Sequence, residues 1–520
     1  MEQNSEKNIV NNETMKKNIH LLVILIVLVI SSVWLYQKQN PLNRLYQLAG
    51  ENKKELQAVI EHYSTQDTCG QKFQAMQFIL GGLPYHHSAV YHWYNPQGQI
   101  TTIVPREFKS SGKIREYIQE NQLRRKQDTS IFHAASLRHD FLINNIDEAY
   151  KSWQQLPWRD SISFDIFKEY TLPYSIGNEV TQEWRSVFQE KYPEIKDSIL
   201  TMRDPVKIAR LFKRKLSVWR WYSDRSFVLS PNQNVEELFK YQQVDCTNYA
   251  HLMVMACRSF GIPAAVDEIP LWGNRNSSHC ECSVFTLDNK WQQLGDGVWC
   301  NVTYDGRRAA KVFKKTYSPQ TWTLAQNVDD PDAIPPLLRS ALYVDATADY
   351  CPAQDIAFSV DTLAASEDYV YATVFNNGRW EAVHWSELTD GKFNFTDMAP
   401  YVVYLPAYYK DGSYIQAQYP LMVSKEGEVK VYNISDQKVP QIHIGRWTLK
   451  RKMEQKINVD DKIYLYIWDK EWKYHSQSKV TDKGIYFKDV PEGTICRLES
   501  IQNSMKARIF SVEGEKVFWW

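Results

Sequence analysis

Cys246, His279 and Asp296 are residue types that together can break an amide bond. A thiolate is the nucleophile of such chemistry, an imidazole within hydrogen-bond reach takes its proton, and a third group orients that imidazole. The order along the chain suits those roles, with His279 33 residues after Cys246 and Asp296 17 residues after His279. Tyr249, Met253, Ala256 and Phe260 fall on one stripe and Gly261-Ile262-Pro263 follows them, so the spacing predicts a helix with Cys246 in its first turn. Unpaired backbone N–H groups there favour thiolate over thiol and can hold an oxyanion. Cys257, in mid-helix, has neither advantage and reads as core, while His251 on the same helix could face the core or the cleft and is read as structural. His279 opens an alternating run through Phe285, Lys290–Leu294 reads as a further strand, and the stretch Trp272–Asn276 before His279 reads as a loop.

Other elements must position these residues. Leu56, Val59, Ile60 and Tyr63 recur at helical spacing, with Asn52 and Glu55 as the cap of that helix. A second helix, Lys72–Leu80, is stopped by Gly81, Gly82 and Pro84, and a third is predicted over Ile114–Lys126. Residues 41–200 therefore read as mainly helical. The cationic stretch Lys207–Arg220 reads as a solvated helix face. Beyond residue 345 the pattern changes to period two, broken by Asn376-Asn377-Gly378, Asp390-Gly391, Asp411-Gly412 and Glu426-Gly427, which are hairpin signals. Two β-sandwich modules are predicted, 346–440 and 441–520, with Ser435–Pro440 as the linker, and their abundant Trp and Tyr read as core rather than as sugar-stacking surfaces.

Composition bounds the partners. The chain has 520 residues, 61 Lys plus Arg against 61 Asp plus Glu, 43% hydrophobic residues and 8 Cys. A zero net charge removes the basic field on which nucleic-acid binding rests, so no nucleic-acid partner is expected. The apolar content excludes disorder, and the cysteines are too few for a small disulfide scaffold. The run Leu21–Tyr36, preceded by Lys16 and Lys17, reads as a membrane-targeting segment. It lacks an Ala-x-Ala site, so residues 1–40 are expected to form a tail with an uncleaved membrane anchor rather than a removed signal. The body would then be exported, placing the protein in the cell envelope, held by the inner membrane and facing the periplasm or exterior.

Asp245-Cys246 with its helix, Arg258 with Gly261-Ile262-Pro263, His279 on a strand and Asn289-Lys290-Trp291 resemble the core motif of transglutaminase-like proteins. The flanks Phe164–Gly177, Trp272-Gly273-Asn274-Arg275, Val344–Thr347, Val374–Asn377 and Tyr401–Tyr409 are similar to segments of multidomain, secreted bacterial members of that group. The resemblance implies a papain-like α+β core, assigned to 201–345, with a Cys-His-Asp triad. The fold class is then multidomain α+β: membrane helix, helical region, transglutaminase-like core and C-terminal β modules. The implied activity is peptide or amide hydrolysis or acyl transfer, on a protein, peptide or glycopeptide substrate and without a cofactor.

Two positions depart from the pattern. Glu281, between Cys280 and Cys282, stands where an aromatic is usual, and Gly295 stands where the acid is usual, with Asp296 one residue later. A slip of one turns a strand side chain to the other face, which a bulge at Gly295 would reverse. Gly295-Asp296-Gly297 also reads as a turn. Cys280-x-Cys282 is tighter than the usual zinc-ligand spacing, so no metal site is assigned. These departures motivate an alternative reading, a non-catalytic scaffold of the same fold that binds glycans or envelope proteins.

Overall fold

The computed structural model describes residues 41–66, 70–217, 220–221, 226–295, 306–360, 367–454, 456–500 and 507–520. The Leu21–Tyr36 run and Asp296 lie outside the described residues. Among the described residues no helix is long and apolar enough to cross a membrane. The chain divides into two compact units, one running to Val90 and including Asp128–Asp147, the other comprising Tyr91–Gln127 and Glu148–Trp520.

The first unit contains the helices Pro41–Ala49, Lys53–Gln66 and Gln71–Gly82. Leu56, Val59 and Tyr63 are buried, as their spacing predicts. The expected cap is corrected: Asn52 donates its side-chain amide to the carbonyls of Ala134 (3.0 Å) and Leu137 (2.9 Å), and Glu55 accepts from the backbone N–H of His139. Both residues bind a distant segment rather than their own helix. Residues 41–200 are mainly helical, and strands His87–Tyr94, Ile100–Thr101 and Arg124–Phe132 interrupt the helices. The helix expected to reach Lys126 ends at Glu120, where Gln122 takes a left-handed conformation (φ 50°) and Leu123 N–H returns to the Ile118 carbonyl. That closure satisfies the last helical carbonyls and leaves the following stretch, with Thr129, Ile131 and Phe132, free to extend.

In the second unit, helix α1 (Pro205–Leu216) is capped by Asp204, which accepts from the N–H groups of Val206 and Lys207, and buries Ile208, Ala209, Phe212 and Leu216. Helix α2 (Val235–Tyr241) starts with a capping box of Asn234 and Glu237. Helix α3 (Cys246–Ser259) follows, buried from Asn248 to Ser259 and stopped by Gly261, whose φ of 80° lies in the region glycine tolerates. A Cβ at Gly261 would come within 2.5 Å of the Ser152 carbonyl oxygen, so this stop is sterically fixed as well.

Helix α3 packs on an antiparallel five-stranded sheet of β1 (Ala264–Ile269), β2 (His279–Phe285), β3 (Trp291–Gln293), β4 (Phe313–Lys315) and β5 (Tyr343–Asp345), in the order β5-β4-β1-β2-β3. The register opposes Ile269 to His279 and Asp267 to Glu281. A one-turn helix α4 (Thr347–Tyr350) follows β5 and reaches Asp267 on β1 and Glu281 on β2 through Tyr350.

The remainder is two sets of antiparallel strands. Gln354–Ser359 pairs with Lys392–Met398 across a core from a six-stranded sheet over residues 369–431. Lys438–Gly445 pairs with Gly484–Pro491 across a core from a five-stranded sheet over residues 462–519. The stretch read as a linker thus begins a strand at Lys438. Phe375, Trp380 and Tyr432 of the first set are buried with Ile495, Ile509 and Trp520 of the second.

Both sets hold the loop before His279. Asn376 donates its amide to the carbonyls of Trp272, Arg275 and Ser277 and accepts from the N–H of Ser277. The buried guanidinium of Arg508 donates to the carbonyls of Gly273 (2.8 Å), Phe375 and Trp520 and to Asn276 Oδ1. A loop whose backbone is bonded from two directions keeps one conformation.

Candidate active site

Asp245 ends the strand-like segment before α3 and caps the helix, accepting from the N–H of Asn248 at 2.8 Å. This leaves Cys246 at the first helical position, half-buried, while the other described free cysteines, Cys257, Cys280, Cys282 and Cys496, are buried. The N-terminus of α3 meets the start of β2: Thr247 Oγ1 lies 3.5 Å from Cys280 Sγ, and the backbone N–H of Cys280 bonds toward the Cys246 sulfur. Cys246 is therefore brought against the residue that follows His279. The helix that begins at Cys246 packs on the strand that begins at His279, 33 residues later in the chain.

Burial pushes the Cys246 thiol up, reinforced by the charge of Asp245 and opposed by the hydrogen bonds from Cys280 and Thr247. Helix-start polarity does not win here; desolvation of the sulfur does. His279 moves the other way, held down at about 4 by burial and then by the charge of Arg307. Both directions favour the uncharged forms, a thiol at Cys246 and an imidazole at His279 that can accept a proton. Trp272 is buried and stacks on the His279 ring, with centroids 5.9 Å apart and planes at 30°. The clamped loop thereby fixes the plane of the His279 ring.

The side chains of β2 alternate. Cys280 and Cys282 face α3, where Cys282 meets Cys257. Glu281 and Ser283 face the other side, where Lys314 donates to Asp267 (2.6 Å) and Ser283 (2.8 Å), and Tyr350 donates to Asp267 (2.6 Å) and Glu281 (3.1 Å). His279, two residues before Glu281, shares that face. Gly295 does not take a left-handed conformation, so the bulge expected of it is not the kind that requires glycine. The cationic face of α1 is corrected in one particular: Lys213 donates to the Leu294 carbonyl at 2.8 Å and so belongs to the edge of the site.

His251 is fully buried on α3 with Nδ1 3.7 Å from Glu179 Oε2, and neither ring nitrogen has a hydrogen-bond partner. Burial holds it at about 4, below 6.5, with Glu179 opposing. A depressed folded-state value favours the neutral ring, so its contribution to stability is present above about pH 6.5 and is lost as pH falls through about 4. Urea midpoints measured from pH 7 to 4 are expected to fall less steeply in His251→Leu than in the native chain.

A cavity of about 300 Å³ lined by Ser152, Gln189, Ser259 and Phe260 lies at the opposite end of α3. It is too far along the helix to serve Cys246, since 14 residues span roughly 20 Å. Among the described residues no cluster of His, Cys, Asp and Glu is arranged to hold a metal ion.

Residues 201–295 match the Transglutaminase-like superfamily. No curated protein matches the chain.

Proposed function

From a transglutaminase-like domain at residues 201–295, we propose that the chain is an exported, membrane-anchored thiol enzyme acting on amide bonds of peptides or glycopeptides. The observation that carries this reading is the placement of Cys246: half-buried, at a helix start, against the first residues of the strand that begins with His279. His279 takes the proton from Cys246 Sγ, and the sulfur attacks the amide carbonyl carbon. The N–H of Cys246 helps hold the oxyanion, and the leaving amine receives the proton from His279. The acyl group on sulfur then passes to water or to an amine. Asp296 is the sequence candidate for the orienting acid. The apolar run Leu21–Tyr36 supports export, and so does the disulfide-bonded state of Cys351, which suits an oxidising compartment.

Iodoacetamide at pH 6–7 tests the reading. Mass spectrometry is expected to find Cys246 alkylated at least tenfold faster than Cys257, Cys280, Cys282 or Cys496. A Cys246 as slow as those four would favour a scaffold of the same fold.

A further inference from the structure

Gly295 extends β3 by two residues. Leu294 N–H donates to the Cys282 carbonyl at 3.0 Å, which carries the ladder on and sets Gly295 beside Glu281. A Cβ on Gly295 would lie 1.6 Å from Glu281 Oε2 and 2.7 Å from its Cδ. The Glu281 carboxyl therefore occupies the volume in which any side chain at 295 would stand. Glycine is needed at 295 to admit a carboxyl from the neighbouring strand. In the resembled pattern an acid stands at 295 and an aromatic at 281; here the acid is at 281 and no side chain is at 295. A residue at 295 is the diagonal cross-strand neighbour of His279, a separation that long side chains span.

We propose that Glu281 is the positioning residue of the base: its carboxyl, lying across Gly295, supplies from β2 the acid that orients the His279 imidazole. The inference rests on the reading of Cys246 and His279 given under Proposed function. It explains the two departures from the pattern by one exchange and does not require the register of Asp296 to be corrected by a bulge.

The charged and titratable groups facing Glu281 are Asp267 on β1, Lys314 on β4, Lys213 on α1 and Tyr350 on α4, and no hydrogen bond or ion pair joins it to His279, two residues before it on β2. Burial pushes the carboxyl up to about 8; Asp267 adds to this, while the Tyr350 hydrogen bond, Lys213 and Lys314 oppose it. The ionised form is the one that supports an imidazolium. Support for His279 therefore grows as pH rises through about 8.

The test follows iodoacetamide alkylation of Cys246 in the full chain from pH 5 to 10. In the native protein the rate is expected to rise through an inflection near pH 8 before the thiol's own limb. Glu281→Gln, which keeps shape and removes charge, is expected to lose that inflection and to react at least tenfold more slowly at pH 8.5. The double variant Glu281→Ala with Gly295→Asp, returning the acid to the other strand, is expected to recover at least a third of the native rate. A native Cys246 no faster than the buried cysteines overturns the functional reading itself. A reactive native Cys246 whose pH profile is unchanged in Glu281→Gln overturns the role of Glu281 alone.

Discussion

Cys246→Ala is expected to abolish release of amine from a broad panel of peptide and amide substrates while the chain stays folded. Loss of a thiol nucleophile removes the covalent route altogether, and removal of such a group from a comparable serine enzyme costs about 10⁶ in kcat. The fold should be indifferent, because Cys246 is half-buried at a helix start whose cap is Asp245, and the substitution leaves the Asp245–Asn248 hydrogen bond in place. A change below about 1 kcal/mol is expected for a site of that kind. Activity of the alanine variant equal to that of the native chain on the same panel would show that another residue is the nucleophile.

The largest loss of stability is expected from Asp267→Ala. Lys314 and Asp267 are both buried, joined at 2.6 Å, and their remaining valences are filled by Ser283 and Tyr350, while Lys314 also lies 4.1 Å over the Trp291 ring. Removing one partner leaves an ammonium without its charge partner in an apolar sheet, at a cost of about 3–5 kcal/mol. Replacing both partners with apolar residues, Asp267→Leu with Lys314→Met, should return most of that loss, since a buried pair and a well-packed apolar pair are often similar in stability. Urea unfolding read by tryptophan fluorescence separates the two: a single variant as stable as the double would mean that the ammonium finds water or another acid.

Much of this core was legible in the chain. Periodicity with a glycine stop located α3, and alternation located β2, although both elements are buried on every side beyond their first residues. The polar residues were less legible. Asn52 has the look of a cap yet serves carbonyls more than 80 residues away, and Lys213 looks like solvent-facing charge yet bonds Leu294. Local spacing cannot reveal partners brought in by tertiary packing. Glu281 and Gly295 are separately visible as departures, but that one explains the other depends on the β2–β3 register, which only coordinates show. The direction of the thiol's shift is hidden from the sequence for a related reason: the helix-start effect is local, whereas desolvation is set by what packs around the sulfur.

The hydrogen bonds of Arg508 to the loop before His279 carry a consequence for the order in which the protein becomes complete. Arg508 reaches Gly273 from 235 residues downstream. A ribosome adding about 5–20 residues per second needs roughly 10–50 s to cover that distance. Throughout that interval the emerging chain already carries Cys246, its helix and His279, but the loop that stacks Trp272 on the base lacks its last tether. The loop that stacks Trp272 on His279 is therefore fully tethered only after residue 508 has been added.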